Sequence, residues 1–210
     1  MGDPGPPELG GDEPSNRKGA WRLFARDLVT SALAVLVVGA YLFAISGVWP
    51  PLVAVESGSM EPNMERNDLV FVMEEHRFAG DGAAASTGVV TAAVGNSSGY
   101  VKFGNPGDVI VYTPDGRNDT TPIIHRAMLW AEAGENWVAR ANPDHLGSDT
   151  TCEAVQYCPA EESGFITKGD HNGHYDQVRP SQLSRPVRPA WVVGTAEVKI
   201  PGLGWLRLRT

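Results

Sequence analysis

Near one third of the way along the chain, Ser57-Gly58-Ser59-Met60-Glu61-Pro62 sets two hydroxyls on either side of a glycine. A serine acts as a nucleophile when a base takes its proton and hydrogen-bond donors receive the oxyanion that forms. Gly58 allows the tight turn that exposes a neighbouring hydroxyl, and Pro62 stiffens the exit. Alone, a Ser-Gly-Ser run reads as a flexible loop, so its companions decide its meaning.

A base is the first companion required. Lysine serves when burial lowers its pKa, yet no lysine lies between Ser59 and Lys102, and Lys102 sits in a glycine-flanked segment with nothing to desolvate it. Histidine ionises in the useful range without such help. His125 follows two β-branched residues in Pro122-Ile123-Ile124-His125-Arg126, which predicts a strand, whereas His76, His145, His171 and His174 lie in polar surroundings. A lone strand histidine is ordinarily a structural one. A carboxylate to orient the base is the second companion. Thr167 to Asp176 offers both Asp170 and Asp176 on a turn-rich loop. His171 and His174 with an aspartate also suggest a metal site, but three or four correctly spaced ligands are lacking, and no metal is expected.

Elements must hold these groups. Residues 28–49 carry no charge and are long enough to cross a bilayer as a helix. Arg17, Lys18, Arg22 and Arg26 precede them and should remain cytoplasmic. The run exceeds a signal-peptide core and no small-residue cleavage site follows it, so it reads as an uncleaved anchor. The expected division is a disordered, then basic, cytoplasmic tail over 1–26, an anchor over 27–49 and an extracytoplasmic domain over 50–210.

That domain reads as mainly β. Short Val- and Ile-rich runs at 52–56, 69–73, 108–113, 122–131, 136–140, 164–168 and 190–200 alternate with Gly, Pro, Asn and Asp. Residues 79–100 and 142–163 read as surface insertions. The second holds Cys152 and Cys158, either disulfide-bonded outside the membrane or reduced and buried. The tail from Lys199 to Thr210 is either an interfacial segment or a last strand with a frayed end. Asn96 and Asn118 begin glycosylation acceptor tripeptides. The net charge of −8 and the absence of a basic stripe give no support for nucleic-acid binding.

Taken in order, these segments resemble the type I signal peptidases, specifically the archaeal and endoplasmic-reticulum branch. The resemblance rests on the anchor, Ser57–Pro62, Asn67–Val72, Gly107–Tyr112, Pro122–Arg126, Thr167–Asn172 and Val193–Val198, and leaves out only the tail and the two insertions. It implies an antiparallel β-sheet catalytic domain docked on the membrane. It implies Ser59 as nucleophile, His125 as general base where the bacterial branch has lysine, Asp176 as the triad acid and Asp170 as a second aspartate shaping the site. The Ser59 amide, with the Ser57 hydroxyl, would form the oxyanion hole. His171 and His174 depart from the family's endoplasmic-reticulum members and leave open which carboxylate meets His125.

The implied activity is removal of N-terminal signal peptides from exported preproteins at the cell membrane, beside the export channel, with no cofactor. Two rivals keep the anchor without the chemistry: a non-catalytic paralogue, and a single-pass exoplasmic binding module.

Overall fold

The computed structural model describes residue 2, residues 15–117 and residues 119–205. The tail expected to be disordered falls outside these residues except for residue 2 and the start of the first helix. Asn118 and residues 206–210 fall outside them as well. Two compact units make up the chain, Met1–Leu42 and Phe43–Thr210.

The first unit is carried by α1 (Ser15–Ser46). Within it Gly19–Ser46 is long and apolar enough to cross a membrane, and its 18-residue apolar window is not buried by protein. At 1.5 Å per residue it measures about 42 Å against a hydrocarbon core of about 30 Å. The helix ends in the second unit on a left-handed glycine. Gly47 (φ 78°) donates its N–H to Phe43 O at 2.8 Å. Arg77 Nη1 then caps the last carbonyls, 2.8 Å from Ala44 O and 2.9 Å from Ile45 O. A side chain at position 47 would strike Arg77, since a Cβ there lies 2.7 Å from its Nε. Ser46 Oγ donates to Val72 O at 2.7 Å, within the second unit.

The second unit is built on antiparallel strands. In chain order they are β1 (Leu52–Ala54), β2 (Leu69–Met73), β3 (Val101–Lys102), β4 (Asn105–Pro106), β5 (Val109–Tyr112), β6 (Ile123–Ala131), β7 (Gly164–Lys168) and β8 (Val192–Ile200). Six form one sheet in the order β1-β2-β8-β5-β6-β7, while β3 and β4 make a separate small hairpin. Val, Ile and aromatic residues at these positions suit a pleated, half-buried surface. Every residue of β5 and of β7 is buried, as expected for strands covered on both faces.

The run 136–140 expected to be a strand is a 3-10 turn, Trp137–Arg140. Asn136 explains the difference: its side chain accepts the Ala139 N–H at 3.3 Å and caps the turn. Trp137 and Val138 still enter the core, where they join Leu129, Leu146, Val155, Ile166 and Tyr175.

Both segments read as insertions carry buried residues. In the first, α2 (Ala92–Ser98) is capped by Thr91, and Val89 and Val90 are fully buried. Asp108 ties this segment down, accepting the Val90 N–H at 2.8 Å and the Tyr100 hydroxyl at 2.8 Å. Asn96 is exposed on α2. In the second segment Cys152 and Cys158 form a disulfide. That segment also grips the loop beyond β7: Tyr175 N–H donates to His145 O at 3.1 Å, and the Tyr175 hydroxyl accepts the Asn142 N–H at 3.0 Å.

Candidate active site

Register decides which side chains meet. His125 on β6 lies opposite Ile110 on β5, and Ala127 lies opposite Thr167 on β7. Side chains alternate between the two faces of a strand, and directly paired residues share a face. Tyr112, His125 and Thr167 therefore project to one side of the sheet. Arg126 and its β7 partner Lys168 project to the other.

On the first side Asp176 receives three donors. Its Oδ2 lies 2.7 Å from His125 Nδ1, 2.7 Å from Thr167 Oγ1 and 3.0 Å from the Tyr112 hydroxyl. The His125 and Asp176 side chains are 4% and 0% exposed. A carboxylate only accepts, so Nδ1 carries a proton, and in the neutral imidazole Nε2 keeps its lone pair. Burial and the Asp176 charge hold the Tyr112 phenol well above its ordinary range, so it stays a donor.

On the second side Asp170 takes a bidentate clamp from Arg126, with Nε to Oδ1 and Nη2 to Oδ2 both at 2.7 Å. Asn63 Nδ2 adds a bond to Oδ2 at 2.7 Å and Asn105 Nδ2 another at 3.3 Å. Burial alone would raise the Asp170 carboxyl, but the Arg126 guanidinium and the two amides outweigh it and hold the group below the usual range. Arg126 Nη1 also gathers backbone carbonyls around the β3–β4 hairpin, 3.0 Å from Lys102 O and 2.7 Å from Gly107 O. His125 is thus paired with Asp176, and Asp170 is occupied by the residue next to it.

The loop joining the two aspartates also holds the serine loop. His171 N–H donates to Ser59 O at 2.9 Å, and Asp170 N–H approaches Met60 Sδ at 3.5 Å. Met60 is fully buried among Val55, Val70, Val72 and Val109, which fixes the residue before it at the surface. Gly169 sits where the parts converge. A Cβ built there lies 2.5 Å from Ser59 O and 2.9 Å from His125 Nε2, closer than real side chains allow. Lys168 secures the same turn, donating to Gly169 O and Asn172 O at 2.9 Å each. Burial lowers this ammonium below the ordinary lysine range, although Asp170 and Asp176 act in the opposite sense.

Ser59 is partly exposed, and its Oγ lies 3.1 Å from Ser57 Oγ. Its N–H makes no hydrogen bond among the described residues. The arrangement can take a proton from a serine hydroxyl at Nε2, provided the Ser59 side chain turns from Ser57 toward His125. Catalytic hydrogen bonds are often long or unmade before substrate binds.

Among the described residues His171 and His174 do not gather with carboxylates as a ligand set; the group that does is Glu74, Glu75 and His76, adjacent in sequence beyond β2. A cleft of about 470 Å³ lined by Asp115, Glu161, Arg185 and Trp191 contains none of Ser59, His125 and Asp176.

Comparison with known proteins adds an independent line. The signal peptidase complex catalytic subunit of Eremothecium gossypii is 26% identical over 168 residues, covering 80% of this chain and 70% of that protein. Its Saccharomyces cerevisiae counterparts are 24% identical over 159 residues, 75% of this chain and 64% of theirs, a little under two thirds. This chain is similar to the catalytic subunits of signal peptidase complexes. No protein-family model matches it. The peptidase relationship fits the antiparallel sheet and the N-terminal apolar helix.

Sequence reading of this signal peptidase relative missed several groups around the site. Arg126, Asn63 and Asn105 had no assigned role, nor had Tyr112, Thr167 and Lys168. The adjacency of a buried arginine to a buried histidine was the available signal, since each requires its own carboxylate.

Proposed function

We propose that this chain is a membrane-anchored serine endopeptidase that removes N-terminal signal peptides from exported preproteins. The observation that carries the reading is the buried His125–Asp176 pair, whose free Nε2 faces Gly169 at the point where the Ser59 main chain packs.

In this reaction Nε2 of His125 takes the Ser59 Oγ proton as Oγ adds to the scissile carbonyl carbon. Asp176 holds the imidazole in the required tautomer and stabilises the imidazolium that forms. The Ser59 N–H and the Ser57 hydroxyl donate to the oxyanion. Collapse of the tetrahedral intermediate breaks the C–N bond. The imidazolium protonates the departing amine, which is the new N-terminus of the mature protein, and the signal peptide remains as an ester on Ser59. Water then adds with His125 again as base, releasing the signal peptide and restoring the serine. The Arg126–Asp170 clamp keeps the serine loop in place throughout.

The basic residues before the apolar helix favour a cytoplasmic N-terminus and a catalytic domain on the far side of the cell membrane. There the site would meet signal peptides as they leave the export channel. The yeast relatives are subunits of a complex by name. A non-catalytic paralogue or a binding module would have no use for a buried histidine–carboxylate pair beside a partly exposed serine.

Membranes containing the chain should cleave a purified preprotein, and Ser59→Ala and His125→Ala should abolish cleavage. Mutants that cut as well as wild type would remove the proposed mechanism.

A further inference from the structure

Building on the peptidase reading, we propose that Tyr112 and Thr167 are positioning residues that set how strongly Asp176 holds the His125 proton. The geometry is one-sided. Three donors converge on Asp176 Oδ2, and Oδ1 is buried with no hydrogen-bond partner among the described residues. The carboxylate charge that serves His125 is therefore shared on a single oxygen with two hydroxyls.

Each hydroxyl is itself fixed. Thr167 Oγ1 accepts from Gln177 Nε2 at 3.3 Å, and Thr167 N–H donates to Gln177 Oε1 at 2.9 Å, so the threonine proton points to Asp176. Tyr112 is fully buried on β5, one strand over from His125, and its hydroxyl lies 3.4 Å from Thr167 Oγ1. Removing either hydroxyl leaves Oδ2 with more charge for Nδ1–H. The imidazolium is then favoured, and the free base is lost at a higher pH.

The other charged groups nearby stay in place. They are Lys168 on β7, the Arg126–Asp170 pair on the far face of the sheet and Asp115 after β5, which acts on Tyr112. A change confined to the two hydroxyls therefore reports on Asp176.

The test uses the full-length chain with Tyr112→Phe, Thr167→Val and Thr167→Ser. One readout is kcat/KM for a preprotein across pH. The other is the downfield Nδ1–H resonance of His125 in the detergent-solubilised chain, which needs no activity. In Tyr112→Phe and Thr167→Val the acid limb should move up by about half a pH unit, about threefold in activity on that limb, and the resonance should move further downfield. Thr167→Ser should overlay wild type. An unmoved limb and an unmoved resonance in both hydroxyl-deleted variants would overturn the proposal. If Tyr112→Phe fails to fold, the threonine pair decides. If wild type cleaves no preprotein the peptidase reading fails, and the resonance alone still decides the positioning role.

Discussion

His125 Nδ1 and Asp176 Oδ2, separated by 51 residues of sequence, meet at 2.7 Å in the interior of the domain. The next residue along β6, Arg126, binds a different aspartate, so the two carboxylates of one loop have separate tasks.

Asp176→Asn should keep the fold and lose about 10⁴-fold in turnover, since the amide presents the histidine with the wrong tautomer partner. Asp170→Asn should instead lower stability by about 3–5 kcal/mol, because it strands a buried guanidinium without its counter-charge. Turnover and urea unfolding measured together separate the two. Equal losses of stability would contradict the division.

Gly169 has a distinct requirement. Gly169→Ala places a methyl against Ser59 O and His125 Nε2, so cleavage should fall by about 10² or more, as expected when reacting groups are displaced by about 1 Å. Far-ultraviolet circular dichroism should be unchanged. Wild-type cleavage by a folded Gly169→Ala protein would show that these parts do not converge there.

The Arg126–Asp170 clamp has a pH signature. The Asp170 carboxyl is held below its ordinary range in the folded chain, so the folded state binds this proton less readily than the unfolded one. Its stabilisation is present above the unfolded value near ~4 and is lost as pH falls through the lower folded value. Urea midpoints measured from pH 6 down to pH 3 should decline more steeply for wild type than for Asp170→Asn. Matching slopes would contradict the assignment.

The disulfide offers a prediction away from the chemistry. Replacing Cys152 and Cys158 together by serine should cost about 2 kcal/mol, the lower end expected for a short closed loop, and should leave cleavage intact. Thermal unfolding and the preprotein assay check this. A loss of cleavage at full stability would give the loop a role in the reaction.

Much of this architecture was legible in the sequence because the strands are short and β-branched and the turns between them are rich in Gly, Pro, Asn and Asp. The 136–140 run misled because Asn136 can satisfy a backbone N–H locally, which an apolar pattern does not reveal. Ser59, His125, Asp170 and Asp176 stood out by residue type and order. Which aspartate meets His125 did not, because the choice depends on strand register. The β5–β6–β7 pairing turns His125 toward Tyr112 and Thr167 and turns Arg126 away, and no local pattern encodes that pairing.

Ser59, His125 and Asp176 should act as one unit, which the turnover of single and combined variants on one preprotein measures. Ser59→Ala, His125→Ala and the double variant should each lose about 10⁴-fold or more, the double no more than the singles, because removing either member disables the same step. Losses that multiply, or a single variant that keeps wild-type turnover, would show that the three residues do not act as one unit.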